Sequence, residues 1–378
     1  MARRPANPSW NHPLFGADPR TLLEAVAANR PLGGRARLMA AVMLLASLLR
    51  GPATLCERGL TAARLRRLPP PRQPVFILGH WRSGTTHLFN LMSRDPRFCW
   101  ADPFTTGLPW DYRLLGRLAR PLIKRALPAN RFVDGVAVTP DSPQEDEIAL
   151  ASMQGLSWYH AIYFPRRFET HWRQGVFLDG VDERRIRRWR RRFEYYHRKL
   201  LAADPDRTLL VKNPAYTGRV ALLRRIWPEA RFIHIRRNPY TVFASTRRFW
   251  RTLLRRYALQ DFDDELAEGL MAETYPRMIN RLYEDVADLG GERFVELSFE
   301  ALERDPLGEL ARIYRSLGLA GYDESRDRFE RYLESVRDYE KNRHEITRET
   351  VDKVDRHWGE LARRWSYQPP GTEGDVDD

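Results

Sequence analysis

Residues 75–88 read VFILGHWRSGTTHL, and the rest of the chain has to be built around what this stretch can form. Four apolar residues, Val75, Phe76, Ile77 and Leu78, end at Gly79. A polar loop follows, and Leu88, Leu91 and Met92 then take up helical spacing. A short apolar run closed by glycine reads as a buried strand, and the three-to-four spacing reads as a helix. Strand, glycine-bounded loop and helix together make an anion cradle, because backbone N–H groups and the positive helix end converge on one point. In the nucleoside-triphosphate version, GxxxxGK[ST], a lysine follows the second glycine. Gly79 and Gly84 keep that spacing here, but Thr85 stands in the lysine's place and Arg82 supplies a cation two residues before Gly84. The loop predicts a cradle for an anion other than magnesium-bound ATP.

The alternation continues downstream. Residues 208–212 (TLLVK), 231–236 (RFIHIR) and 293–297 (RFVEL) read as strands. Helices are expected over 217–227 and 240–257, and from Phe299 and Leu307 onward. This pattern predicts an α/β fold with a P-loop-like central parallel sheet flanked by helices. Ligands of such sheets bind at the carboxyl ends of the strands. Residues 1–70 read as an N-terminal helical extension, closed by LPPPRQP at 68–74, which no helix can cross. Residues 71–345 form the expected α/β domain, 346–370 a C-terminal helix and 371–378 a disordered acidic tail. Between 98 and 140, prolines and scattered aromatics predict loops and short helices, a candidate lid facing the acceptor. Residues 140–163 hold an acidic cluster, PDSPQEDEIAL, followed by an apolar, aromatic-rich helix.

The net charge of +13 favours an anionic partner: a nucleotide, a nucleic acid, an acidic substrate or a membrane surface. Over 182–201, Ile186, Trp189, Phe193, Tyr196 and Leu200 mark one buried helical stripe, and nine Arg and Lys fill the other faces. That face is either solvated or a docking surface. The absence of any accompanying recognition motif argues against nucleic acid. Two cysteines, Cys56 and Cys99, are too few for a disulfide framework and lack metal-site spacing, so neither a bridge nor a metal is expected. They fit a cytoplasmic protein. The N-terminus, MARRPANPSW, has no apolar signal-peptide core. Residues 38–49 (LMAAVMLLASLL) are too few to span a bilayer. Two readings of them stay open: a buried helix, or a helix lying in a membrane interface as a peripheral contact.

Three stretches carry candidate chemistry. In the cradle, Arg82, Ser83, Gly84, Thr85 and Thr86 offer a charge-assisted donor, backbone N–H groups and hydroxyls. His87, in the first helical turn, is either structural or a neighbour of the bound anion. Arg236, at a strand tip, and Ser245, two turns into the next helix, form a second anion site. Lys212, at the tip of the neighbouring strand, is placed to stabilise charge on a leaving oxygen.

These stretches resemble the sulfotransferase family that uses 3′-phosphoadenosine-5′-phosphosulfate (PAPS), over residues 74–320. GHWRSGTTHL looks like the family's 5′-phosphosulfate loop, and FIHIRRNPYTVFAS like its 3′-phosphate motif. KNPAYTGRVALLRRIWPEARFIHIRRNP and RFVELSFEALERDPLGELARIYRSLGL resemble the blocks before and after that motif. The resemblance implies metal-free transfer of a sulfuryl group from PAPS to an acceptor hydroxyl on a small molecule, lipid or sugar. It implies that Arg82 to Thr86 hold the 5′-phosphosulfate with His87 alongside, and that Arg236 and Ser245 take the 3′-phosphate. Arg82 and Lys212 would stabilise the transition state. Members of the cytosolic small-molecule branch have a catalytic histidine two residues after the strand-end lysine. That position is Pro214 here, so the histidine mechanism does not carry over. The PQEDE stretch resembles bacterial members, and Glu145 is favoured as the base. Asp146 and Glu147 are its rivals, and one or two of the three are expected to cap the helix that starts there. Asp102 and His80 are more distant candidates. The basic segment 337–344 (RDYEKNRH) either closes over the 3′-phosphate or is a solvated connection. A nucleotide kinase with an altered loop, and a non-catalytic nucleotide- or membrane-binding protein, are the competing readings.

Overall fold

The computed structural model describes residues 4–69, 71, 73–116, 121, 139–263, 268–337 and 346–369. Five strands make one sheet: β1 (Val75–Leu78), β2 (Phe98–Cys99), β3 (Thr208–Lys212), β4 (Arg231–Arg236) and β5 (Phe294–Ser298). Their order is β2-β3-β1-β4-β5, with every pairing parallel. The glycine-bounded strand β1 is central, registered through Val75 with Leu210 on one side and Arg231 on the other. Successive residues point to opposite faces of a strand. Phe76 and Leu78 therefore join Leu209, Val211 and Phe232 in one core, while Val75 and Ile77 join Leu210, Ile233 and Ile235 in another. All four β1 side chains are fully buried, as a strand covered on both faces requires.

Helices close both faces. The Glu183–Leu201 helix brings Trp189, Phe193 and Leu200 to the first core, and the Val220–Ile226 helix adds Val220 and Leu223. On the other face, α3 (Thr85–Met92) contributes Leu88 and Phe89, the Pro306–Ser316 helix Leu310 and Ile313, and the Tyr322–Ser335 helix Phe329. The α/β architecture expected from the strand–helix alternation is the one present.

Local details depart from the sequence reading. The helix expected over 217–227 divides into a 3₁₀ turn, Pro214–Gly218, and the Val220–Ile226 helix. The Asn213 side chain caps the turn by accepting from Ala215 N. The aromatic helix after the acidic cluster also divides, into Glu147–Met153 and Tyr159–Tyr163. Gln154 makes the break: its amide accepts from Leu156 N and donates to Leu156 O, both at 2.6 Å, closing a local turn that competes with the helix. The short strand β2 lies in a stretch read as loop. Residues 117–120 and 122–138 of the expected lid lie outside the described residues, as do 338–344 of the basic segment and the tail 371–378.

Two helices precede the sheet, α1 (Pro19–Ala28) and α2 (Gly34–Leu65). Leu22, Ala25, Met39 and Met43 share a core with Trp81, Trp158, Trp172 and Trp250, so these helices pack against the segment that bears the cradle. The reading of 38–49 as a buried helix is corrected. Met39, Met43 and Ser47 face inward, but Leu38, Leu45, Leu48 and Leu49 are 55% to 75% exposed. The protein covers only one stripe of α2, and apolar composition does not say which stripe that is. The Arg348–Arg364 helix is the expected C-terminal helix, and it seats Trp358 against Phe243 and Tyr275.

Candidate active site

The cradle loop joins the end of β1 to α3. Gly79 and Gly84 have φ of +147° and +97°, a region that side chains disfavour. A Cβ on Gly79 would stand 2.5 Å from the Ile235 carbonyl oxygen, and one on Gly84 would collide with the Phe299 ring. The loop thus folds tightly only because both positions are glycine. Gly79 N donates to Thr217 Oγ1 at 2.8 Å, which ties the loop's start to the strip following β3. Ser83 is fully buried, and its Oγ has no hydrogen-bond partner among the described residues. Buried hydroxyls are normally paired, so this one awaits a partner in the cradle.

Arg82 Nε donates to Ser245 Oγ at 2.8 Å, which joins the cradle to the Pro239–Tyr257 helix after β4. Arg237 approaches from the same side. Its Nη1 donates to Arg82 O at 3.2 Å, and its guanidinium lies over the Phe299 ring at 4.3 Å. Burial pulls the Arg237 pKa below the usual arginine range, and nearby Arg82 adds to the pull. Arg236 turns elsewhere. Its Nε is 3.4 Å from Glu296 Oε1, and its Nη1 reaches Trp365 O at 3.5 Å. Glu296 also receives His234 Nδ1 at 2.7 Å, so Arg236 shares the face of His234, as two-residue alternation along β4 requires. Arg237 lies one residue past the strand and emerges beside the cradle. The sequence reading passed over it, although continuing the alternation through RFIHIRR would have separated the two arginines. His87, also assigned near the anion, packs between the rings of Phe299 and Tyr332.

At the tip of β3, Lys212 is buried. Its Nζ lies 2.6 Å from Glu145 Oε1 and 3.3 Å from Thr86 Oγ1 in the first turn of α3. Asp146 and Glu147 are committed to the protein interior. Asn213 Nδ2 donates to Asp146 Oδ1 at 3.2 Å and to Glu147 Oε2 at 2.9 Å. The Tyr216 hydroxyl donates to Asp146 Oδ2, and His197 Nε2 is 3.1 Å from that oxygen. Burial raises the Glu147 pKa to about 7, against the opposing pull of the Arg219 charge. Asp146 occupies the N-cap position of the Glu147–Met153 helix, yet its carboxylate makes no cap bond. The expected capping by this acidic run does not occur there, because its oxygens are drawn to the β3 tip.

The two distant candidates have other partners. Asp102 caps the Pro103–Gly107 helix, accepting from Phe104 N at 2.9 Å and Thr105 N at 2.7 Å. His80 is buried with its ring 4.3 Å from that of Tyr275, and burial lowers its pKa to about 3, so the ring is neutral. The site therefore offers an anion cradle, two arginines and a serine beside it, and a lysine–carboxylate pair at its edge. Such a set can bind an extended anion and accept a proton next to it.

Residues 74–324 match the model of the Sulfotransferase family. The chain is 34% identical over 301 residues to the omega-hydroxy-beta-dihydromenaquinone-9 sulfotransferase Stf3 of Mycobacterium bovis, covering 78% of this chain and 75% of that protein. The Mycobacterium tuberculosis protein of the same name matches to the same extent. Among solved structures, sulfotransferase STF9 from Mycobacterium avium is similar with a TM-score of 0.68 at 17% identity, covering 93% of this chain and 91% of that one. Sulfotransferase STF1 from Mycobacterium tuberculosis H37Rv follows with a TM-score of 0.57 at 18% identity, covering 91% and 94%. At those identities the two structures speak to the fold.

Proposed function

The chain belongs to the sulfotransferase family, and from that premise we propose that it transfers a sulfuryl group from PAPS to an acceptor hydroxyl, without a metal, using Glu145 as the base. The observation that carries this reading is the position of Lys212, which touches the cradle helix through Thr86 and the candidate base through Glu145. The cradle suits the 5′-phosphosulfate: the buried Ser83 hydroxyl has no hydrogen-bond partner among the described residues, and Arg82 brings a positive charge. Ser245 and Arg237 take the 3′-phosphate, with Arg236 as an outer contributor.

PAPS supplies the activated sulfuryl group. Glu145 accepts the proton of the acceptor hydroxyl as that oxygen attacks. Taking up the proton neutralises Glu145 and loosens its hold on Lys212. The Lys212 ammonium then answers the negative charge growing on the leaving phosphate oxygen, together with Arg82 and the loop N–H groups. Asn213 fixes the carboxylates on either side of the helix start, and so holds Glu145 in place. The acceptor class favoured is a hydroxylated lipid or quinone, by analogy with the acceptor in the name of the mycobacterial relative. The two free cysteines, Cys56 and Cys99, agree with a cytoplasmic setting.

Thermal unfolding with 3′-phosphoadenosine-5′-phosphate (PAP), PAPS or ATP–magnesium tests the reading. PAP and PAPS should raise Tm by several degrees while ATP–magnesium leaves it unchanged. No shift with saturating PAP would refute it, and a shift with ATP–magnesium alone would move the protein to the kinase class.

A further inference from the structure

We propose that the outward face of α2 is a docking surface for an anionic lipid bilayer, on which the helix lies flat. This goes beyond the transfer reaction and does not depend on the acceptor. Of the ten exposed large hydrophobic residues among those described, seven lie on α2, so the apolar exposure is concentrated on one element. Leu38, Leu45, Leu48, Leu49, Leu55 and Leu60 are each 55% to 75% exposed. Separations of three, four and seven residues link Leu38 to Leu55, and Leu60 follows Leu49 by eleven, close to three full turns, so all six lie along one side, over about 33 Å at 1.5 Å per residue. An apolar strip of this length is larger than water-facing surfaces normally carry, and it calls for a covering.

Between Ser47 and Thr61 the face of the helix turned to the protein is polar, while Met39 and Met43 nearer its start enter the apolar core. Ser47 Oγ donates to Ala17 O at 2.7 Å. Arg50 pairs with Asp111 at 2.7 Å, and Thr54 Oγ1 donates to the same carboxylate. Glu57 accepts from Arg113 N and Leu114 N and pairs with Lys199 at 2.5 Å. Arg58 lies over the Trp110 ring at 4.7 Å. The charged residues in the middle of α2 are thus taken inward, leaving the outer face to leucine. By length and composition α2 could cross a membrane. To do so it would have to break two buried ion pairs and strand their charges, which is strongly unfavourable. A helix held to its domain by its polar side, with its apolar side free, lies in the interface plane.

Charge selects the bilayer over a second copy of the chain. Arg35 and Arg37 are exposed at one end of the strip, and Arg64, Arg66 and Arg67 at the other. Pairing two such helices along their length stacks arginine on arginine in either orientation. A plane of anionic headgroups accepts both ends at once.

The test uses the full chain and sedimentation with vesicles of 70% phosphatidylcholine and 30% phosphatidylglycerol. The chain should co-sediment, and less so with pure phosphatidylcholine. L45E/L49E/L55E should lower the partition coefficient at least tenfold with an unchanged melting temperature, since all three side chains are exposed. R187E/R191E, on the other basic helix, should change it less than twofold. Cys56, exposed beside Leu55, provides a probe that keeps every leucine. A polarity-sensitive label there should shift to the blue on adding vesicles. Cys99 competes poorly for the label, because burial pushes its thiol up to about 12. Three results would each overturn the proposal. They are a chain that stays in the supernatant, binding lost with R187E/R191E but kept in the leucine variant, and a label on Cys56 that shifts only with a concentration-dependent dimer.

Discussion

Lys212 and Glu145 are 67 residues apart in the chain, yet they meet at 2.6 Å beside the cradle. The contact separates Glu145 from the two acids that follow it. Glu145 faces a cation at the edge of the site, whereas Asp146 and Glu147 are held inside by Asn213.

The substitution Glu145→Gln should therefore lower kcat by roughly 10²- to 10⁴-fold, the usual range for a lost general base. Its melting temperature should stay near that of the wild type. Asp146→Asn should instead show itself mainly in stability, since Asn213, Tyr216 and His197 all approach that carboxylate. Steady-state turnover beside a melting curve distinguishes the two, and full turnover by E145Q would remove Glu145 from the mechanism.

PAP affinity should discriminate between the adjacent arginines. Arg237→Ala removes a half-buried guanidinium bonded to the cradle, so binding should weaken by at least tenfold, in line with about 1.5–3 kcal/mol for a charged hydrogen bond. Arg236→Ala, whose nearest partners are Glu296 and Trp365, should cost less. Calorimetric titration of both variants reads the difference directly. A larger loss for R236A would return the 3′-phosphate to the strand-tip residue.

Gly84→Ala should abolish PAP binding and lower stability by more than about 1 kcal/mol, because it combines a disfavoured φ with a clash. The clash is with the Phe299 ring alone among its three nearest atoms, so G84A/F299A should regain part of the stability. The backbone strain would remain, and PAP binding should stay weak. Equal melting temperatures for the single and double variants would show that the ring contributes nothing to the requirement for glycine.

Glu147 should give the fold a pH signature. Its pKa is raised from 4.5 to about 7 by burial, so the folded protein holds a proton that the unfolded chain has released. Its contribution to stability is complete below about pH 4.5 and is lost as pH rises through about 7. The buried His12 and His80 and the half-buried His171, each lowered to about 3 by desolvation and so neutral, act oppositely and lose stability as pH falls below 6.5. Subtracting the unfolding free energy of Glu147→Gln from that of wild type at each pH isolates the carboxyl. The difference should fall between pH 4.5 and 7 and be flat above; a flat difference throughout would mean that Glu147 is ionised in the fold.

What could be read without coordinates was local. The VFIL run, the two glycines and the alternating strands depend on residues within a few positions of one another, and each formed where its period indicated. Breaks that depend on a single side chain were less legible: nothing in the period at 147–163 announces that Gln154 will fold back on Leu156. The acceptor-side chemistry was legible only as a set of alternatives. PQEDE contains three acids of similar chemistry, and the choice among them rests on Asn213 and Lys212, which arrive from a distant strand.

The order of strand, cradle and flanking helices, and with it the family, followed from the sequence by itself, because the spacing of apolar residues and glycines is enough to specify them. Tertiary structure alone decided which carboxylate meets Lys212, which arginine turns toward Arg82 and which face of α2 is left bare. Each of these depends on direction, and direction comes from what packs on the other side. An arginine one residue past a strand end points away from its neighbour, and a leucine-rich helix buries the side that meets the core at Met39 and Met43 and polar partners from Ser47 to Glu57.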